Sequence, residues 1–171
     1  MSGPRIAKIA DVPDLARDAM DDLGRALPRI RKLAASDGWT EREVAATVLV
    51  EVSRKKPDAV LEAMQAWARD RDPNIRRAAS ESMRSMARRD PMRVLPILEG
   101  LRADESLYVR KSVASMLRNA SGKHPGFVLR VAQRWAKEFG PRTNRIIREG
   151  VKKLRRSHAD EVAILLASLG S

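Results

Sequence analysis

The chain has 171 residues, a net charge of +12 and no cysteine, so disulfides and thiol chemistry are excluded. Its length is typical of one domain with a continuous core, and no apolar run approaches the roughly 18 residues of a membrane span. Residues 1–10 contain Arg5 and Lys8 and few apolar side chains, so we expect neither a signal peptide nor a membrane partner.

The positive charge is concentrated in the second half of the chain. Residues 1–105 hold 20 Lys and Arg against 18 Asp and Glu, whereas residues 106–171 hold 14 against 4. A basic half joined to a balanced half is typical of a polyanion-binding surface, because solubility alone does not require one-sided charge. We therefore predict a nucleic-acid partner. The absence of cysteine fits a cytoplasmic protein of bacterial type, which we expect to be associated with the nucleoid.

One sequence pattern recurs at an interval of 34 residues. The recurring positions are a proline (Pro57, Pro91, Pro125), an arginine (Arg42, Arg76, Arg110) and three apolar sets (Leu49, Met83, Leu117; Val60, Val94, Val128; Trp67, Leu101, Trp135). A fixed period of this size indicates stacked repeats, each of which buries its apolar face against its neighbours. We predict a single repeat domain over residues 1–171. It comprises a capping repeat at 1–37, regular repeats at 38–71, 72–105 and 106–139, and a divergent repeat at 140–171.

The predicted elements are all helical. Residues 14–35 form one or two helices, with irregular points at Gly24 and Pro28. Thr40-Glu41-Arg42-Glu43 has the pattern of a capping box that begins a helix at 40–54, with Trp39 packed against Val44. Further helices are predicted at 57–69, 73–88, 91–102, 106–120, 125–138, 142–155 and 159–169. No stretch alternates with a period of two, so no sheet is expected.

The helices that carry the recurring arginine resemble HEAT repeats. Two of them open with Asp72-Pro73-Asn74-Ile75-Arg76-Arg77-Ala78-Ala79 and Leu107-Tyr108-Val109-Arg110-Lys111-Ser112-Val113-Ala114. Tetratricopeptide units have the same length, but they place a proline near a helix end, whereas here proline begins a helix. The resemblance implies an all-α, right-handed α-solenoid of HEAT-like helix pairs, with about four to five repeats. It also implies a structural ladder of hydrogen bonds between repeats, formed by Asp70, Arg76, Asp104 and Arg110.

Basic residues also recur at the position that follows each ladder arginine. Spacings of i, i+4, i+7 and i+11 share one helix face, which gives two rows across the helices: Arg77, Lys111, Arg145 and Arg84, Arg118, Lys152. In HEAT arrays these helices line the concave surface, so the rows predict a track for a phosphate backbone. The predicted DNA-binding set is Arg77, Arg84, Arg88, Lys111, Arg118, Lys123, Arg145, Arg148, Lys152, Lys153 and Arg156. Because aromatic residues are scarce, double-stranded or branched DNA is favoured over single strands.

Residues 72–169 resemble the HEAT-like bacterial DNA alkylation-repair proteins of the AlkC and AlkD type. The resemblance rests on the two helix openings above and on Lys123-His124-Pro125, and it is weaker in the first repeats. It implies DNA binding in a basic concave cleft. Active members of that family also remove alkylated purine bases, using a carboxylate near aromatic side chains with help from arginine.

The resemblance leaves two interpretations of Trp39 and Glu43 open. Their spacing is similar to an aromatic and acidic pair of the family, which would make them catalytic together with Arg76 or Arg77. The capping box gives both a structural role instead, and Ser115 stands where the family would have a second aromatic.

Three functions are compatible with the sequence. We expect a DNA-binding protein, related to alkylation repair, that holds the phosphate backbone without glycosylase activity. The alternatives are an active alkylpurine glycosylase that uses Glu43, and a HEAT scaffold that binds an acidic protein partner. No cofactor or metal is expected, because His124 and His158 lack the neighbouring ligands of a metal site.

Overall fold

The computed structural model describes residues 7–138 and 140–169. Its contacts divide the chain after Ser82 into two compact units. The described residues of both units form helices and no strand, so the predicted all-α class is confirmed. The single-domain assignment stays a prediction, and residues 1–6 of the expected capping repeat lie outside the described part.

The first unit is arranged around its longest helix. Its elements are a 3-10 turn at Ile9–Asp11 and five α-helices: α1 (Val12–Asp21), α2 (Leu23–Ala34), α3 (Trp39–Lys55), α4 (Pro57–Trp67) and α5 (Pro73–Glu81). Helix α3 packs against each of the other four helices. Its inward residues Val44, Val48, Leu49 and Val52 are completely buried, so α3 forms the centre of this unit's core.

The second unit has the same plan around α8. Its α-helices are α6 (Arg84–Arg89), α7 (Pro91–Leu101), α8 (Leu107–Ser121), α9 (Pro125–Glu138), α10 (Pro141–Gly150) and α11 (Ala159–Ser168), with a 3-10 turn at Lys152–Arg155. Helix α8 packs against α6, α7, α9 and α10. Lys111 and Arg118 therefore lie on a helix that packs directly against α10.

The positions that recur every 34 residues form the core of both units. All nine members of the three apolar sets are buried, and Trp67 is the most exposed of them at 8%. The three recurring prolines begin α4, α7 and α9, where the missing N–H leaves no helical hydrogen bond unmade. The repeat pattern therefore predicted the buried face and the start of these helices correctly.

Two predicted helices are interrupted. The helix expected at 73–88 ends at Glu81, and α6 begins at Arg84. The Ser82 hydroxyl donates to the Ala78 carbonyl at 2.6 Å, a contact that competes with the helical backbone. The helix expected at 142–155 ends at Gly150 and continues as the 3-10 turn, so Lys152 lies on a tighter turn than the helical spacing assumed.

The predicted capping box at residues 40–43 is wrong. Helix α3 already begins at Trp39, with Gly38 as its N-cap, and the Trp39 side chain is 69% exposed instead of packed on Val44. The helix start is held by Arg42, whose Nη1 donates to the carbonyls six and five residues earlier, both at 2.7 Å. The charged guanidinium thus provides a hydrogen-bond donor for two carbonyls, those of Ser36 and Asp37, in the loop that leads into the helix.

The other two recurring arginines make the same contact. Nη1 of Arg76 donates to the carbonyls of Asp70 and Arg71 at 3.0 and 2.9 Å. Nη1 of Arg110 likewise donates to the carbonyls six and five residues before it. Each of these bonds ties the first turn of a helix to its own preceding loop. The inter-repeat bonds that the HEAT resemblance implies for the arginines stay a prediction.

The two ladder aspartates also organise these loops. Oδ1 of Asp104 accepts the Ser106 N–H at 2.8 Å, and Oδ1 of Asp70 accepts the Asp72 N–H at 2.9 Å. Oδ2 of Asp70 additionally accepts Nη2 of Arg31 on α2 at 2.6 Å, which links consecutive helix pairs. Burial raises the pKa of the Asp70 carboxyl, but the Arg31 and Asp72 hydrogen bonds and nearby arginine charge outweigh it and hold that pKa below its ordinary value.

Candidate nucleic-acid interface

The close approach of α8 and α10 creates the candidate site. A Cβ added to Gly150 would lie 2.9 Å from both Cβ and Cδ1 of Leu117, a distance that side-chain carbons do not tolerate. Only glycine therefore lets α10 rest on α8 at this point. The contact fixes the spacing of the two helices, and with it the groove between their exposed faces.

A groove of about 290 Å³ runs between α8 and α10. Its apolar floor is formed by Leu107, Ala114 and Ile146, and its charged lining is formed by Arg110, Lys111, Arg118, Arg145 and Glu149. Lys111 and Arg145 are exposed, whereas Arg118 is partly buried. Three residues of the predicted DNA-binding set, Lys111, Arg118 and Arg145, therefore line one groove of the second unit. They come from both predicted rows.

Glu149 is the acidic residue of this lining, and it is surrounded by cations. Its Oε2 lies 2.7 Å from Nζ of Lys152 and 3.5 Å from Nη1 of Arg118. The hydrogen bond from Lys152 lowers the pKa of the Glu149 carboxyl; burial opposes this, and the charges of Lys152, Arg118 and Arg145 reinforce it. Glu149 is therefore an anion that holds two predicted DNA-binding side chains beside the groove.

Tyr108 is a groove-side aromatic that the sequence analysis did not select. It is 64% exposed in the first turn of α8, and Nζ of Lys111 lies 5.7 Å from its ring centroid. The spacing of i and i+3 on one helix was the available signal, since it places a lysine over an aromatic ring. The ring adds an apolar surface next to the basic lining.

The remaining predicted DNA-binding residues do not line the groove, and they lie in both units. Those on the surface of the second unit, away from the groove lining, are Arg88, Lys123, Lys153 and Arg156, all of which are exposed. Arg84 begins α6, a helix that packs on α8. Arg77 belongs to the first unit, where its Nε lies 2.8 Å from Oε1 of Glu81 on α5. The first predicted row therefore stays a prediction.

Arg148 makes a structural contact within the second unit. Its Nη2 donates to the Leu169 carbonyl at 2.7 Å, which ties α10 to the end of α11. Its predicted contact with DNA stays a prediction.

Trp39 and Glu43 lie one turn apart at the start of α3 in the first unit. The indole is exposed, and Glu43 is partly buried, with Oε1 accepting the Thr47 hydroxyl at 3.4 Å. The excluded capping box leaves the predicted catalytic role of Trp39 and Glu43 as a prediction. Ser115, on α8, is partly buried.

Within residues 7–138 and 140–169, no group of three or more His, Cys, Asp or Glu is arranged to hold a metal ion. In the same part of the chain, no helix has the length and apolarity needed to cross a bilayer.

Comparison with protein-family models matches residues 6–154 to the family described as DNA alkylation repair enzyme. Comparison of the sequence with curated proteins gave no significant match. One similar solved structure is Pseudomonas fluorescens alkylpurine DNA glycosylase AlkC bound to DNA containing an abasic site analog. It has a TM-score of 0.75 and 26% identity over 92% of this chain and 45% of that chain. The present chain thus spans less than half the length of that AlkC.

A second similar structure is AlkD2 from Streptococcus mutans. It has a TM-score of 0.72 and 25% identity over 84% of this chain and 72% of that chain. Together with the family match, these likenesses confirm the resemblance on which the sequence analysis relied and the predicted class of helical-repeat fold.

Proposed function

Because the chain belongs to the family of DNA alkylation repair enzymes, we propose that it binds duplex or branched DNA through the phosphate backbone and does not itself excise bases. The observation that carries the proposal is the α8–α10 groove, lined by Lys111, Arg118 and Arg145. Lysine and arginine heads bind phosphates without reading bases, so they supply affinity that is independent of sequence.

The distribution of charge supports the same assignment. The groove belongs to the part of the chain that carries 14 Lys and Arg against 4 Asp and Glu. A similar structure, the AlkC of Pseudomonas fluorescens, is bound to DNA containing an abasic site analog. Clustered basic residues on one face are the electrostatic footprint of a nucleic-acid-binding surface, so the groove lining supports the same proposal.

Duplex or branched DNA is favoured over single strands by the placement of the aromatic residues. Trp67, Trp135 and Phe127 are buried in the cores, so they offer no stacking surface. The exposed rings Trp39 and Tyr108 belong to different units, so neither unit presents a row of aromatic side chains among its described residues. Single-strand binders depend on exposed aromatic platforms for successive bases. Near the groove, Tyr108 supplies one such ring, which suits contact with a single exposed base at a junction or lesion.

The proposal is tested by removing three cations of the second unit together. In the variant Lys111→Ala/Arg118→Ala/Arg145→Ala, which removes three cations that line the groove, we expect weaker binding to duplexes of unrelated sequence. The logarithm of the binding constant falls linearly with the logarithm of the salt concentration, and each lost phosphate contact makes this slope less steep by about 0.9. Three lost contacts therefore make it less steep by about 2.7. Electrophoretic binding to duplex, junction and single-stranded DNA over a range of salt concentrations measures both quantities.

A matched control changes the same number of charges on α7 and α9. The variant Arg93→Ala/Arg130→Ala/Lys137→Ala removes three cations of the same unit that do not line the groove. It is expected to keep most of the wild-type salt slope. Equal effects of the two variants would reject the groove as the binding surface, and capture of a protein that resists nuclease treatment would favour an acidic partner instead.

A second candidate function, alkylpurine glycosylase activity, is favoured by the exposure of Trp39. The ring is 69% exposed and stands one helical turn before Glu43, whose carboxylate is partly buried. A carboxylate placed beside a sugar can stabilise the positive charge that develops when a glycosidic bond breaks.

This candidate is decided by base release from alkylated DNA. Activity of the wild type that is lost in Glu43→Gln, with folding intact, would establish it. The control Glu41→Gln changes a neighbouring carboxylate in the first turn of the same helix. Absence of base release by the wild type would leave DNA binding as the function.

A further inference from the structure

We propose that the Glu149 carboxylate occupies a phosphate subsite between Arg118 and Lys152, and that a DNA phosphate displaces it on binding. This inference rests on the proposed function, because it assigns a role to one acidic residue within the proposed DNA-binding groove. It identifies the two side chains that contact the displacing phosphate and the internal anion that competes with it.

The geometry around Glu149 is that of a bound anion. Its Oε2 accepts Nζ of Lys152 at 2.7 Å and lies 3.5 Å from Nη1 of Arg118, so one oxygen faces two cations from different elements. Both cations were independently expected to contact phosphate, from their place in the second predicted row. A phosphate oxygen makes the same charge-assisted contacts with lysine and arginine heads as a carboxylate oxygen does.

The exposure of the three side chains allows exchange with an external anion. The side chains of Arg118, Glu149 and Lys152 are 32, 40 and 49% exposed, so none is sealed in the core. Ion pairs of this exposure are weak, because water and salt screen them. The backbone carbonyl of Glu149 also accepts Nη1 of Arg118 at 3.4 Å, so Arg118 keeps one anchor when the carboxylate moves away.

Glu149 therefore opposes binding while it prepares the site. It holds the side chains of Arg118 and Lys152 beside the groove in the free protein. The side-chain conformational entropy lost when phosphate binds is therefore smaller. In the complex its negative charge lies close to DNA phosphate, and like charges at an interface disfavour association. The net effect is reversible, salt-sensitive binding that favours DNA able to place a phosphate in this subsite.

The test is the substitution Glu149→Gln, which keeps the shape and removes the charge. We expect a dissociation constant for duplex DNA roughly three- to tenfold lower than that of the wild type at moderate salt. The matched control is Glu99→Gln, since Glu99 also forms a salt bridge with an arginine, Arg134, and its side chain is 36% exposed. The control is expected to change affinity by less than about twofold.

The same substitution in a variant that lacks the subsite distinguishes two effects of Glu149: occupation of the subsite, and simple repulsion between its charge and DNA. In the variant Arg118→Ala/Lys152→Ala the subsite is absent, so adding Glu149→Gln should change affinity by less than about twofold. An equal gain in both backgrounds would overturn the proposal, because Glu149 would then act as an ordinary like charge. Thermal unfolding of each variant verifies that the compared proteins are folded.

The remaining outcomes distinguish this inference from the proposed function. Wild-type binding to DNA with no gain, or with a loss, in Glu149→Gln overturns the subsite and leaves the groove intact. Failure of the wild type to bind any DNA overturns both, because no phosphate then enters the groove.

Discussion

The substitution Gly150→Ala tests whether the approach of α8 and α10 depends on a missing side chain. The new Cβ would lie 2.9 Å from two atoms of Leu117, whereas ordinary contact begins at 3.4 Å. Helix α10 must therefore retreat from α8 by about 0.5 Å (3.4 − 2.9), or Leu117 must move. Leu117 is completely buried, so its movement disturbs the core around it.

Two opposing effects decide the size of the change in stability. Overpacking a core position costs about 1–3 kcal/mol. Alanine stabilises a helix interior by about 1 kcal/mol relative to glycine, and by less at Gly150, which is the last residue of α10. The expected net loss in the free energy of unfolding is therefore about 1–2 kcal/mol.

Urea denaturation measures the free energy of unfolding of Gly150→Ala. The comparison variant changes a glycine that lacks such a close contact. Gly100 lies one residue before the end of α7, and a Cβ added there meets no atom within 4 Å. Gly100→Ala is expected to raise the free energy of unfolding by up to about 1 kcal/mol. Stabilisation by Gly150→Ala of the same size as by Gly100→Ala would refute the close-packing argument.

Three further predictions concern the charged residues. Asp70→Asn should lower the free energy of unfolding at neutral pH. Because the pKa of Asp70 is lowered in the folded state, its contribution is present above about pH 4 and disappears as the pH falls through the lowered value, so urea denaturation of wild type and variant should converge in acid. Arg110→Met should destabilise by about 1–3 kcal/mol by leaving two loop carbonyls without their donor, whereas Arg145→Met should change stability by less than about 0.5 kcal/mol and weaken DNA binding. Arg148→Ala should lower the melting temperature because the bond to the Leu169 carbonyl is lost, and a reduced salt slope of DNA binding in the same variant would support the predicted phosphate contact of Arg148.

The fold was predictable because its signals are periodic. The recurring apolar positions select the buried face of each helix, and the recurring prolines mark where α4, α7 and α9 begin. Interruptions were not predictable from period alone. The break after Glu81 involves the Ser82 hydroxyl contact with Ala78, which depends on one rotamer of one side chain.

The candidate site was only partly predictable from the sequence. Helical spacing placed Lys111, Arg118 and Arg145 on exposed faces, and the structure brings them to one groove. The direction of a long arginine side chain is a tertiary property, so spacing alone could not show that Arg148 reaches the Leu169 carbonyl. The role of Glu149 also needed coordinates, because its two partners come from different elements.

Two adjacent positions near the start of α8 and of α10 have different roles. The first position on α8 contacts the preceding loop, and the second position on both helices lines the groove. Consecutive helical residues point roughly 100° apart, so the first cation of a pair faces its own loop while the second faces outward. Arg110 donates to two loop carbonyls and also lines the groove, whereas Lys111, the next residue, lines the groove with an exposed side chain. In the divergent repeat the first position is Asn144, which cannot reach as far, yet Arg145 still lines the same groove. The loop contact and the surface charge are therefore separable by substitution, since one determines whether α8 starts correctly and the other determines what its surface attracts.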